Sequence, residues 1–413
     1  MTDRSACVSV GDVTDRPAVP GAVDAVVVGG GTIGAWCAWF LKRAGLPRVV
    51  LLEAATLGKG ASSRAAGMVR AQGGTPAAVR LGLFSRDFYA RQAETLGIDS
   101  GFVEQGYFMP CFHPAEVEQA RSRIAMQQRL GLDVRWVEPA EVDDLNPAMR
   151  PGQTLGASYA SGDGYIDPPR NVLAYTTALF SSGVEVRERT AFTGLHTRAG
   201  RIVGVHTGAG EIATEKVVLT GGPTLAAVGR AAGTRIAAGG ARHQVVVTSP
   251  HPDLAPERLP MVFDLASGIY WRPEEGGVMW GMSNPDESPG EAAQFDWSYY
   301  EVMRERMAQL LPLTGELGVR RVWAATIDFT PDHLPILGPV LTRDGPVEGS
   351  VVAAAGGHGM MWGPGVSRAA ADLLLHGASD VLDTAELGLD RFDEHGRSRL
   401  AADPIALPFP ESA

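Results

Sequence analysis

Cysteine is scarce in this chain. Cys7, Cys37 and Cys111 are the only three in 413 residues, at spacings that neither a disulfide framework nor a zinc site uses. Cys37 falls inside an apolar helical stretch and reads as core, not as a reactive thiol. No run of about 18 apolar residues occurs, so no transmembrane helix is expected. The opening MTDRSACVSVGDVTDRPAVPG lacks the basic-then-apolar order of a signal peptide and reads as a loosely held tail. The proline-rich end PIALPFPESA reads the same way. Positive charge is in deficit: the formal net charge of −11 disfavours nucleic acid and anionic membranes as partners. No internal repeat or low-complexity block stands out. These absences point to a soluble cytoplasmic protein. Its 413 residues, 45% of them hydrophobic, suffice for two domains and a large core.

What is present is concentrated first in DAVVVGGGTIGAWCAWFLKRAGLPRVVLLEA, residues 24–54. Val26, Val27 and Val28 form a β-branched run suited to a strand buried on both faces of a parallel sheet. Gly29, Gly31 and Gly34 hold the G-x-G-x-x-G spacing. The first permits a tight turn, the second a phosphate against the backbone, the third close helix–strand packing. Thr32 and Ile33 open a helix that directs Ile33, Trp36, Phe40 and Leu41 at the sheet, with Gly45 as its stop. Val49 to Leu52 give the second strand, and Glu53 ends it, 19 residues after Gly34. A carboxylate there accepts hydrogen bonds from both ribose hydroxyls and repels a 2′-phosphate. A glycine loop without ligand is the alternative, and strand, helix, second strand and acid in register weigh against it. The residues predict a dinucleotide with a free ribose: FAD or NAD, not NADP.

Beyond Glu53, LGKGASSRAAGMVRAQGG is a small-residue loop leading to a helix start. YFMPCF reads as a strand and PAEVEQARSRIAMQQRLG as an amphipathic helix. GYIDPPRNVLAYTTALFSSGVEV returns to an α/β pattern, with Asp167 as a helix cap before Pro168. AFTGLHTRAGRIVGVHTGAGEIATEKVVLTGG alternates like an antiparallel meander ending in an apolar strand. RHQVVVTSP, GIYWRP and GVMWGMSN read as antiparallel strands, and VVAAAGGHGMMWGPGVSRAAADLLLHG as strand, glycine turn, helix. The expected fold is α/β, with a dinucleotide domain in three segments, 23–90, 151–235 and 326–390. An α+β substrate domain on an antiparallel sheet is inserted twice, as 91–150 and 236–325, between tails 1–22 and 391–413.

Taken in order, GGGTIG, GASSRAAGMVR, GYIDPPR, TPDHLPILGPV and AAGGHGMMWGPGVSRAAADLL resemble the FAD-dependent D-amino-acid oxidase and sarcosine oxidase superfamily, from about residue 24 to residue 376. The stretch TIDFTPDHLPILG looks closer to the sarcosine oxidase β-subunit and dimethylglycine dehydrogenase branch. Ile327 stands where glycine oxidase and D-amino-acid oxidase relatives usually place a carboxylate-gripping arginine, which argues against a simple D-amino-acid oxidase. The resemblance implies a Rossmann-like, glutathione-reductase-like FAD-binding domain. It implies FAD contacts from Gly29, Gly31, Thr32, Ile33 and Gly34, and from Glu53 and Ala54 at the ribose. Ala61, Ser62, Ser63, Arg64, Ala66, Gly67 and Met68 follow in the next loop, then Phe192, Gly221 and Gly222. Gly357, His358, Gly359, Met360 and Met361 complete the set at the ring. The glycine turn runs into a helix near Pro364, whose unpaired N–H groups would stabilise negative charge on a reduced flavin. A packing turn is the alternative for these glycines. Ala325 matches the cysteine that anchors the flavin in some relatives, and no histidine occurs between residues 1 and 112 for the other covalent link. FAD is therefore expected to be bound non-covalently, and no metal is expected.

The implied enzyme is an FAD-dependent amine or amino-acid oxidase or dehydrogenase acting on CH–NH or CH–NH2 donors. Hydride passes to the flavin and the imine hydrolyses. Candidate substrates are an N-methyl amino acid, a cyclic imino acid or a related secondary or tertiary amine. The amine must arrive neutral, so a water-poor pocket serves in place of a strong base. Met360, Met361, Trp362, Tyr270, Trp271 and Trp280 offer apolar walls, with Tyr270 and Trp362 expected to line the site. Arg70 matches the arginine of the carboxylate clamp in monomeric sarcosine oxidases, while Met361 stands at its lysine; Arg272 and His243 are candidate replacements. Met279 stands at a lysine associated with dioxygen activation, which leans the reading towards a dehydrogenase or a slow oxidase. His358 is the candidate polar group near the ring, able to orient substrate or take the amine proton; a turn histidine satisfied by backbone is the alternative. His333 reads as structural. The electron acceptor is dioxygen or another molecule. A dehydrogenase subunit that hands electrons to a partner, a D-amino-acid dehydrogenase and an NAD-linked dehydrogenase are the competing readings, and homo- and hetero-oligomers both stay open.

Overall fold

The structure, a computed structural model, describes residues 19–254, 259–292 and 294–405. Two sheets organise it. The first has six strands in the order Ile336–Gly338, Ser350–Ala354, Val217–Leu219, Ala25–Val28, Val49–Leu52, Glu185–Arg187. All pair in parallel except Ile336–Gly338, which runs antiparallel to Ser350–Ala354 at the edge.

Ala25 and Val27 face a core shared with the helices Thr32–Arg43, Pro168–Ser182 and Gly363–His376. Val26 and Val28 face the opposite core, which includes Ile202, Val205 and Ile212 of the meander. Burial on both faces is why the strand is a continuous apolar run, each buried valine contributing roughly 1.5–3 kcal/mol. Helix Gly363–His376 packs closely on Thr32–Arg43 because its first turn is small. A Cβ at Gly363 would lie 2.7 Å from Thr32 Cγ2, and Ser367 Oγ donates to Ile33 O at 2.7 Å.

The second sheet has eight strands, ordered Val319–Phe329, Gly239–Thr248, Gly277–Ser283, Tyr270–Glu274, Met261–Phe263, Tyr107–Pro110, Ala157–Ala160, Arg135–Val137. Only Met261–Phe263 and Tyr107–Pro110 pair in parallel. Strand alternation divides its side chains. Phe108, Val262, Trp271 and Trp280 face a core closed by Met303 and Met307 of helix Trp297–Leu310. Tyr107, Met109, Met261, Phe263 and Tyr270 face the other way.

The segment boundaries at 150, 325 and 391 are corrected by strand pairing and by the path of the C-terminal segment. Ala157–Ala160 pairs with Tyr107–Pro110, so the second sheet extends past residue 150. Val319–Phe329 pairs with Gly239–Thr248 through to Phe329, so a single strand runs across the boundary at 325. The segment after 391 is held, not loose, over its described part. Arg391 forms a buried ion pair with Asp332 at 2.7 Å, Ser398 Oγ donates to the same carboxylate at 2.6 Å, and Ile405 is fully buried. Ala22 likewise bridges Ala213. Residues 1–18, with Cys7, and 406–413 lie outside the described residues. Among the described residues no helix is long and apolar enough to cross a membrane.

Candidate functional site

A cleft of about 610 Å³ runs between the two sheets, from Glu53 at one end to Arg70 and Tyr270 at the other. At the first end the glycine spacing has a direct steric reason. Gly29 has φ +101°, and a Cβ there would lie 2.4 Å from Thr220 Oγ1; at Gly34 it would lie 1.9 Å from Gly29 O. At Gly31 only Ser62 Oγ approaches, at 3.2 Å, which leaves the helix N-terminus accessible from the cleft. Glu53 is clamped by two backbone amides: Gly30 N donates to Oε2 and Ala55 N to Oε1, both at 2.7 Å. A carboxylate has acceptor capacity beyond those two bonds, so Glu53 can still receive ribose hydroxyls.

The next wall is Ala61, Ser62, Arg64, Ala66, Gly67 and Met68, opposite Phe192, Gly221 and Gly222. Ser62 Oγ accepts from Thr32 N at 3.0 Å, tying this loop to the helix start. Ser63 does not line the cleft, contrary to expectation. It closes the three-residue turn Ala61–Ser63, in which successive side chains diverge by about 120°.

The middle of the cleft is formed by Gly357, His358, Gly359, Met360 and Met361 against Ala325, Ile327 and Asp328. Asp328 is a residue that sequence reasoning passed over, although it sits inside the quoted TIDFTPD. Burial pushes its carboxyl up, while the amides of Gly357, Gly356 and Ala355 pull it down. Its Oδ2 and the Nδ1 of His358 are buried with no hydrogen-bond partner among the described residues. His358 stacks on Trp362 with centroids 4.0 Å apart. Burial, helped by the charge of Arg70, holds His358 well below the usual histidine range, so it is neutral near pH 7 and a weak base. Trp362 itself does not line the cleft. It is 1% exposed and belongs to the helix-side core, so its expected place as a wall is corrected. Met279 is also elsewhere, packed on Val245 and Val247.

At the far end Arg70 is buried at 3% exposure. Its Nη1 donates to Gln72 O, its Nη2 to Ile405 O at 3.1 Å, and its guanidinium lies 5.6 Å over the Phe263 ring. Among the described residues no carboxylate lies within ion-pair distance of it. Asp163 fixes the backbone beside it, accepting from Ala71 N at 2.8 Å. Tyr270 and His243 meet here: Tyr270 OH is hydrogen-bonded to His243 Nε2 at 2.5 Å, and His243 Nδ1 to Ser283 Oγ at 2.9 Å, so a neutral imidazole donates through one nitrogen and accepts through the other. Burial brings His243 down to about 4 and pushes the Tyr270 phenol up, so both are uncharged at neutral pH. The pair needs Gly281 beneath it, where a Cβ would lie 2.3 Å from Tyr270 OH.

Arg272, two residues from Tyr270 on the same strand, is not in the cleft, which corrects its expected catalytic place. Its Nη1 is paired to Glu274 at 2.6 Å, its Nε donates to Ala66 O at 3.2 Å, and it stacks 4.2 Å over Tyr165. A guanidinium so satisfied positions the Ala66 loop instead of binding substrate. Tyr107 and Phe263 also line this end and were not foreseen; the period-two pattern of YFMP and MVF carried the signal.

Residues 24–373 match the family model described as FAD dependent oxidoreductase (DAO). The chain is 27% identical to 4-methylaminobutanoate oxidase (formaldehyde-forming) of Paenarthrobacter nicotinovorans, over 97% of this chain and 49% of that protein. It is 25% identical to sarcosine oxidase subunit beta of Rhodobacter capsulatus, over 90% of this chain and 89% of that one. Its fold is similar to a crystal structure of L-proline dehydrogenase from P. horikoshii, with TM-score 0.83, 25% identity, 92% of this chain and 100% of that chain covered. The chain thus spans about half the length of the longer relatives it matches.

Proposed function

The chain belongs to the FAD dependent oxidoreductase family, and from that premise we propose that it oxidises the C–N bond of a small secondary or tertiary amine carrying a carboxylate. The observation that carries this reading is Arg70, a buried guanidinium without a carboxylate partner, opening on the same cleft as the Gly357–Met361 turn. A buried charge left unpaired is costly, and a ligand carboxylate relieves that cost with charge-assisted hydrogen bonds.

The residues fit FAD. A side chain at Gly29 would strike Thr220 Oγ1 and one at Gly34 the Gly29 carbonyl, Glu53 is held ready for a ribose, and the unpartnered Asp328 Oδ2 and His358 Nδ1 suit the polar edge of an isoalloxazine. Among the described residues no cysteine lines the cleft, which supports non-covalent binding. When bound, FAD supplies the two-electron acceptor.

The chain's own residues do the rest. Arg70 fixes the carboxylate and so places the α-carbon towards the Gly357–Met361 turn. Its positive charge, in a pocket walled by Phe263, Tyr107, Met68 and Met361, disfavours an ammonium and favours the neutral amine. Tyr270, hydrogen-bonded to neutral His243, can accept through its phenol oxygen from the N–H of a secondary amine, which leaves the amine lone pair free. Such a substrate class covers N-methyl amino acids and cyclic imino acids alike. A second reading, in which the acceptor is not dioxygen, rests on one observation: besides Arg70, the cations lining the cleft are Lys59 and Arg64, both at the dinucleotide end. Two buried free thiols, Cys37 and Cys111, favour a reducing cytoplasm.

The test is anaerobic mixing of the yellow holoprotein with amines that differ in N-methylation and in the presence of a carboxylate, followed by air. Bleaching by carboxylate-bearing amines supports the reading, and slow recovery in air supports the second. Failure of every such amine to bleach the flavin overturns it.

A further inference from the structure

On the outer face of the dinucleotide domain, the three-stranded meander Phe192–Arg198, Arg201–Thr207, Gly210–Ala213 gathers His196, His206 and Glu211. The register does this. His206 lies directly opposite Glu211, and His196 lies opposite Gly204 on the neighbouring strand, while Gly194 lies opposite His206. Each histidine therefore faces a glycine, and no side chain stands between the rings, which stack with centroids 5.6 Å apart. The room is specific. A Cβ at Gly204 would lie 3.1 Å from Glu211 Oε1, and one at Gly194 would lie 3.6 Å from His206 Cδ2.

His196 Nδ1 is 2.6 Å from Glu211 Oε1 and His206 Nδ1 is 3.9 Å from Oε2, with the donor atoms all within 4.8 Å of one another. Those separations bracket the edge of about 3.3 Å that a tetrahedron with zinc-like arms requires. The geometry points to a binding site for one first-row divalent cation, Zn²⁺, Ni²⁺ or Cu²⁺, held by His196, His206 and Glu211 with a fourth position open to water. Imidazole and carboxylate donors suit these ions and not Mg²⁺ or Ca²⁺, which prefer all-oxygen sets. Bound there, the ion ties all three strands together, including the strand whose first residue, Phe192, lines the cofactor cleft.

Titration calorimetry of tag-free, flavin-loaded protein with zinc chloride at pH 7.5 tests the site. The expected result is one equivalent bound, at least tenfold weaker in His206→Ala and in Glu211→Gln, and unchanged in His251→Ala, a half-buried histidine outside the cluster. Zinc should raise the melting temperature of the parent protein and not that of His206→Ala. Absence of saturable binding, or binding that survives both substitutions, overturns the proposal. Neither outcome touches the amine chemistry, which flavin bleaching reads separately.

Discussion

The two ends of the cleft are built on different principles. The dinucleotide end is a backbone device: glycines placed for close approach, a helix start, and a carboxylate held by two amides at 2.7 Å. The amine end is a side-chain device. Arg70, His243, Tyr270 and the Ile405 carbonyl come from separate segments, 27 residues apart for His243 and Tyr270 and 335 for Arg70 and Ile405, brought together by one face of the second sheet and by the C-terminal segment. The first should fail all at once when a single atom is added. The second should lose substrate while keeping cofactor.

The sharpest break is at Gly34. Gly34→Val places carbon atoms where Gly29 O already stands 1.9 Å from a bare Cβ, so the purified protein is expected to be colourless. The ratio of flavin to protein absorbance checks it. Next is Arg70→Met, which should keep full flavin content and lower kcat/KM for a carboxylate-bearing amine by about a hundredfold, as loss of roughly 3 kcal/mol of buried charge-assisted binding implies. Steady-state kinetics beside a flavin assay separates the two ends.

The Tyr270–His243 pair predicts a pH signature. His243 is held down at about 4 in the folded protein against an ordinary value of 6.5. Its stabilising contribution is therefore complete above about pH 6.5 and lost as pH falls towards about 4, because the unfolded chain takes up the proton first. Denaturant melts of His243→Asn should show a flatter decline over that window than the parent. Smallest of all, Ser63→Ala should leave flavin affinity unchanged, since the side chain does not line the cleft. A clear loss there would blur the contrast between the two ends.

This contrast also explains which parts of the site are legible in the sequence. The turn at Gly29–Gly34, Glu53 and the 357–361 segment were legible because each is a local pattern in which neighbours in sequence are neighbours in space. The alternation of GIYWRP and GVMWGMSN likewise announced the antiparallel sheet. Which residues of that sheet face the cleft was legible only in part: Tyr270 was expected there, whereas Tyr107 and Phe263 were not foreseen. Tyr270 and Arg272 share a face, yet Glu274 captures the arginine at 2.6 Å while the tyrosine stays at the site. Trp362 follows the lining segment directly but turns into the helix core. Nothing in PIALPFPESA signals that the residue at 405 reaches Arg70, because that contact spans 335 residues of sequence, and the segment leading to it is held by Asp332 through Arg391 and Ser398.

The central claim is that Arg70 selects a carboxylate on an amine that the flavin oxidises. It is tested most directly by the anaerobic flavin-reduction rates of a matched pair, an N-methyl amino acid that bleaches the protein and the same amine with hydrogen in place of the carboxylate. The account predicts that the acid reduces the flavin at least tenfold faster in the parent and that Arg70→Met erases the difference. Equal rates for the two amines in the parent protein would contradict it.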